Sequence, residues 1–133
     1  MSYLLDTNIC IYIIKRKPQA VIERLSQVSL NQLFISAVTV AELEYGVRKS
    51  SFPDKNQSAL NEFLAPFSLL AFDRKATIEY GIIRYELEKK GTQIGSLDTL
   101  IAAHAKSLDL ILVTNNEREF SRVSGLRIEN WVK

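Results

Sequence analysis

Tyr3-Leu4-Leu5-Asp6-Thr7-Asn8-Ile9-Cys10-Ile11-Tyr12-Ile13-Ile14 opens the chain as two apolar runs joined by one acidic turn. The first run has the length of a short strand. The second is too long and too unbroken for a strand with one face in water, so it predicts a buried helix that starts at the Asp6 turn. The pattern returns far downstream. Leu110-Ile111-Leu112-Val113 is a second buried run that ends in Thr114-Asn115-Asn116, with Glu117 and Glu119 opening a short helix toward Phe120. In an open parallel sheet the carboxyl ends of neighbouring strands border a crevice at the topological switch point, so Asp6 and Asn116 are expected side by side.

The segments between these two ends alternate strand and helix. After the first pair come an amphipathic helix from about Gln19 to Gln27, a strand at Leu33-Phe34-Ile35, and a helix carrying Glu42. Ser36 is placed to start that helix, and Val40, Leu43 and Val47 form its apolar stripe. A polar turn is expected over Ser50 to Asn56, then a helix through Leu60, Phe63 and Leu64, a strand from Ser68 to Phe72 and a long helix from Arg74 to Lys90. Gly95 and Ser96 supply a break and a cap before a helix whose apolar face is Leu97, Leu100, Ile101, His104 and Leu108. Asp98 shares a neighbouring face with Ala102 and Ala105, small residues expected to leave the backbone accessible. A last strand runs from Leu126 to Trp131. This order predicts an α/β fold with a parallel sheet flanked by helices, in one domain spanning residues 1–133.

Asp6, Glu42, Asp98 and the stretch Asn116 to Glu119 each fall where an apolar run meets a helix start or a small-residue helix. Gathering several carboxylates within ~4 Å would cost on the order of 4 kcal/mol per close pair at an effective dielectric near 20. A compensating positive charge is therefore required. With no His or Cys cluster nearby, the ligand chemistry favours a hard, oxygen-seeking cation, Mg²⁺ first and Mn²⁺ second. Such an ion supports in-line phosphoryl displacement, and the implied reaction is metal-assisted phosphodiester hydrolysis. A phosphoacceptor domain of the haloacid dehalogenase kind would need Asp-X-Asp, and its second position here is Asn8. A receiver domain would need an acidic pair before its first helix and a lysine after a late strand, and neither is present.

Leu5-Asp6-Thr7-Asn8, the run from Ser36 to Leu43 with Gly46, the run from Gly95 to Ala105, and Val113 to Asn116 before Glu119-Phe120 together resemble the PIN-domain ribonuclease toxins of bacterial VapBC systems. The resemblance covers nearly the whole chain in the right order. It implies a metal-dependent endoribonuclease acting as the toxin of a toxin-antitoxin pair, with Asp6, Glu42 and Asp98 as the main acids around the metal. It also implies a fold in which the helical pair from Val38 to Phe67 protrudes from the sheet. Where many PIN domains carry a fourth acid, this chain has Asn116, which offers a neutral oxygen; Glu119 is the nearest carboxylate to take that place. Ser96 stands where proline is frequent in the family. The resemblance further implies a VapB-type antitoxin whose tail carries a basic residue into the acidic groove, a homodimer, operator DNA bound only through the toxin-antitoxin complex, and a structured RNA substrate such as initiator tRNA cut in the anticodon loop. The alternative is a catalytically weak module that serves as an antitoxin-binding or RNA-binding subunit.

The remaining single residues read as structural. His104, the lone histidine, lies on an apolar helix face and is expected to be packed and hydrogen-bonded. Cys10 reads as a small buried side chain, Glu44 as solvated, and Trp131 as the anchor of the last strand. Thr7, Asn8, Ser36 and Thr114 are positioned to orient ligands or waters. With 133 residues, 47% hydrophobic content, one cysteine and no apolar run long enough to span a bilayer, the expectation is a cytoplasmic protein without membrane attachment. The net charge is only +2, from 17 basic and 15 acidic residues, so neutralising the acidic cluster would leave a basic remainder suited to a polyanion. Lys15 to Lys17 and Arg118 flank the strand ends that carry the acids.

Overall fold

Alternate residues of the short strands feed two separate cores, one on each face of a single sheet. A computed structural model describes residues 1–133. The elements are β1 (Tyr3–Leu5), α1 (Thr7–Lys15), α2 (Gln19–Ser26), β2 (Leu33–Ser36), α3 (Ala37–Arg48), α4 (Pro53–Leu64), β3 (Ser68–Leu70), α5 (Arg74–Lys90), α6 (Ser96–Ser107), β4 (Ile111–Val113), α7 (Glu117–Phe120) and β5 (Ile128–Glu129). The sheet order is β3-β2-β1-β4-β5, and every pairing is parallel. Tyr3, Leu5, Leu33, Ile35, Ile111 and Val113 point to one face and join Ile9, Cys10, Val21, Leu43, Val47 and Leu60. Leu4 and Leu112 point to the other and join Ile83, Leu87, Ile101, Ala102, Ala105 and Phe120. Burial on both faces is why these strands read as unbroken apolar runs.

The chain steps outward from β1 through β2 to β3, then returns to place β4 on the opposite side of β1. The switch point therefore lies between β1 and β4, and the Asp6 amide donates to the Val113 carbonyl at 3.1 Å. The turns that follow these two strands sit together, as the sequence required. The α3–α4 pair is not free of the body of the protein: Leu43, Val47 and Leu60 anchor its inner side in the first core.

Several boundaries differ from the sequence reading. The Ser50 to Asn56 turn ends early because Pro53 begins α4, where a missing N–H costs nothing and Asp54 follows in the first turn. The last strand shrinks to Ile128–Glu129, because the Asn130 side chain accepts from the Val132 amide at 2.9 Å and turns the backbone out of the sheet. Ser96 is the first residue of α6 and not its cap; Gly95 holds the cap position and makes no side-chain bond. Leu97 and Leu108 are exposed at the two ends of α6. Ala102, Ala103 and Ala105 do not leave backbone accessible, since all are fully buried and let α6 pack closely on its neighbours.

Candidate active site

Asp6 occupies the cap position of α1, where its Oδ1 accepts from the Ile9 amide at 2.9 Å. It is only 5% exposed. Burial raises its pKa above the usual carboxylate value, against the pull of the Thr114 hydroxyl and the Ile9 amide, and Glu42 adds like charge. One oxygen is thus committed to the helix start while the group stays in the acidic cluster. Thr114, at the end of β4, is fully buried and also accepts from the Asn116 amide at 2.9 Å.

Glu42 arrives from α3, one helical turn after Thr39. The Thr7 hydroxyl donates to Glu42 Oε1 at 2.6 Å and lies 3.4 Å from the Thr39 hydroxyl. The residue following Asp6 therefore positions the carboxylate contributed by a different helix. Glu44 is not the freely solvated residue anticipated from sequence: it is half-buried, and Gln57 of α4 approaches its Oε2 at 3.5 Å.

Asp98 lies in the first turn of α6, and its carboxyl lies close to that of Glu119 of α7. Burial first, then the charge of Glu119 and that contact, then Asp6 and Glu42, push the Asp98 pKa up to about 6. Being near a helix N-terminus should lower it, so burial together with the neighbouring acids wins. Asn116 turns its amide toward Glu119, with Nδ2 donating to Oε2 at 3.0 Å. The carboxylate that meets Asp98 is thus that of Glu119, and Asn116 braces it.

The structure brings Asp6, Glu42, Asp98 and Glu119 into mutual electrostatic range. None of them takes part in a salt bridge; the basic groups that pair do so with Glu129, Glu88, Asp109 and Glu117. All donors are oxygens, which fits a hard divalent cation, and the raised Asp98 pKa reflects burial first and then the neighbouring acids. As the side chains stand, no three of them converge on one point, because Thr7 draws Glu42 aside and Asp98 leans on Glu119.

His104 is outside this group. It is buried, its Nδ1 lies 2.7 Å from the Ser36 hydroxyl, its ring stands edge-on to Phe72, and its Nε2 has no partner. Burial keeps its pKa below the ordinary imidazole value. Ser36 is also the side-chain cap of α3, accepting from Val38 at 3.1 Å, so the histidine ties α6 to the start of the helix that carries Glu42. Cys10 is fully buried and burial pushes its thiol well up. The sequence flagged Thr7 and Ser36 individually. It did not reveal their partners, which are 35 and 68 positions away.

Comparison with known proteins places these features in context. The PIN domain family matches residues 3–126. Ribonuclease VapC2 of Haemophilus influenzae is 47% identical over 132 residues, covering 99% of both chains. A tRNA(fMet)-specific endonuclease VapC of Shigella flexneri is 47% identical over 98% of each chain. Among solved structures, VapBC2 from Rickettsia felis bound to a promoter DNA fragment superposes with a TM-score of 0.93 at 45% identity, covering 98% of this chain and 99% of that one.

Proposed function

The chain belongs to the PIN-domain family and is a VapC-type ribonuclease toxin of a toxin-antitoxin system, and from that premise we propose that it hydrolyses RNA with Mg²⁺ held by Asp6, Glu42 and Asp98. Glu119 completes the acidic set and Asn116 supports it. Mn²⁺ is the alternative ion. The observation that carries this reading is the Asp98–Glu119 contact under the fields of Asp6 and Glu42, with no cationic side chain in balance.

The bound cation supplies charge neutralisation on the phosphate and eases deprotonation of an attacking water. The protein's part is placement. Asp6 is fixed by the α1 amides, Thr7 holds one Glu42 oxygen, and Asn116 holds Glu119 beside Asp98. Near neutral pH Asp98 is mostly ionised and available as a ligand; below about 6 it keeps its proton.

Initiator tRNA, cut in its anticodon loop, is the leading substrate, supported by the endonuclease relatives named for tRNA(fMet). The chain is silenced by a VapB-type antitoxin and reaches operator DNA only in that complex, as the VapBC assemblies on DNA suggest. An apolar groove lined by Ile11, Ile14, Leu43, Val47 and Leu60 ends at Glu42, which suits an apolar antitoxin segment ending in a basic residue. A homodimer is supported by the exposed α5 stripe of Ile78, Ile82 and Tyr85. The protein acts in the cytoplasm without a membrane partner; no helix is long and apolar enough to cross a bilayer.

A second reading, a catalytically weak antitoxin- or RNA-binding subunit, draws on Asn116 in place of an acid and on the unconverged carboxylates. Incubation of purified protein with initiator tRNA and with total RNA, in Mg²⁺, Mn²⁺ or EDTA, separates the two. Discrete metal-dependent fragments absent from Asp6→Asn and Asp98→Asn support the nuclease; fragments indifferent to metal and to both variants favour the second reading.

A further inference from the structure

We infer that the outer face of α3 beyond Glu42 is a stacking platform for an unpaired RNA base, with Tyr45 as the ring and Lys49 as a phosphate contact. This rests on the nuclease reading and adds a substrate-positioning site to it. Glu42, Tyr45 and Lys49 stand at i, i+3 and i+7, so they follow one face of the helix away from the acids. At 1.5 Å per residue the Cα positions of Tyr45 and Lys49 lie about 4.5 Å and about 10 Å along the axis from that of Glu42, within reach of the nucleotides next to a phosphate held there.

Tyr45 is 66% exposed, a large aromatic ring left mostly open to solvent. Lys49 Nζ lies 5.1 Å from the ring centroid, a cation–π contact that steadies the ring and puts a positive charge beside it. Farther along, Phe52 is 69% exposed and is close in sequence to Arg48, Lys49 and Lys55. Aromatic rings interleaved with cations suit a single-stranded polyanion whose bases stack and whose phosphates pair.

The charge also argues against a protein occupant here. Leu43, Gly46 and Val47 line the apolar groove together with Glu42, whereas Tyr45 and the cations Arg48 and Lys49 do not line it. Unpaired RNA is favoured over duplex, because bases within a helix present no free ring face.

Fluorescence anisotropy tests the platform without relying on cleavage. The probe is a labelled, unstructured RNA of about 10 nucleotides, beside its duplex form and copies with one abasic position, bound to Asp98→Asn protein. Adding Tyr45→Ala should weaken single-strand binding about five- to a hundredfold, the range for one lost base stack. Tyr45→Trp should restore it, Lys49→Gln should reduce its salt dependence, and one abasic position should cancel most of the Tyr45→Ala effect. If Tyr45→Ala binds within twofold of its parent, the platform is overturned while the nuclease reading stands. If the parent Asp98→Asn protein and the wild-type chain in EDTA both fail to bind any RNA, both fall. Loss of antitoxin affinity on Tyr45→Ala with RNA binding unchanged overturns the platform in favour of a protein contact.

Discussion

Asp98→Asn should stabilise the metal-free protein while abolishing its activity, and the gain should depend on pH in a defined direction. The folded pKa of Asp98 is about 6, above its ordinary value of 3.8. The folded state thus binds more protons than the unfolded state between these values, and stability falls as pH rises through that window. Above about pH 6 the full penalty of the charged carboxylate is present; below about pH 4 it is gone. A shift of about two units corresponds to roughly 3 kcal/mol, and solvent screening of this half-buried group reduces it to about 1–2 kcal/mol. The neutral amide removes that repulsion and leaves Glu119 a hydrogen-bond donor. At this chain length a gain of 1–2 kcal/mol raises Tm by roughly 3–10 °C. The assay is thermal unfolding in EDTA at pH 7.5, 6 and 4.5. The variant should lead at pH 7.5 and converge with wild type as pH falls. Excess Mg²⁺ should then reverse the order, because a ligand at a hundred times its Kd adds about 2.7 kcal/mol only where it binds. A variant less stable than wild type at pH 7.5, or a difference constant across the range, would refute the reasoning.

Thr7→Val should lower RNA cleavage about tenfold or more, since a hydrogen bond to a carboxylate contributes about 1.5–3 kcal/mol, while Thr7→Ser should keep most of the rate; equal rates for all three would remove Thr7 from the placement of Glu42. His104→Leu should cost about 1–3 kcal/mol in urea unfolding by stripping Ser36 of its partner, yet leave the shape of the pH–rate profile unchanged, and a lost limb in that profile would instead make the histidine a proton carrier. Ile82→Glu should convert a dimer to monomer by light scattering with the circular dichroism spectrum intact; a dimer that persists would place self-association on another face.

The sequence exposed the parts of this fold that are governed by periodicity and left hidden those governed by contact. Doubly buried strands announce themselves as apolar runs, and the likeness of the β1 and β4 ends led to the switch point before any coordinates. The helix carrying Asp98 was visible, but Leu97 was misplaced in the core because it falls on the outward side of the first turn of α6, whose Thr99 is buried. The polar stretch from Ser50 to Asn56 reads as a turn, yet from Pro53 onward it belongs to α4. Asp6, Glu42 and Asp98 stood out because a carboxylate beside an apolar run is out of character there. Spacing left open whether Asn116 or Glu119 completes the metal shell, and the bond from the Asn116 amide to Glu119 links two side chains that sequence alone does not pair. Tyr45 went unnoticed because an aromatic residue next to an apolar stripe looks like core until its exposure is known.

β1 sits between β2 and β4, strands formed nearly eighty residues apart in synthesis. While the chain is being made, the open edge of β1 waits for Ile111–Val113, and Asp6 waits with it for Glu119. No amino-terminal fragment ending before β4 carries the complete acidic set. A nascent chain in which β4 has not yet entered the sheet therefore lacks part of the proposed acidic set. An antitoxin that recognises the assembled set would meet it only after that strand is in place.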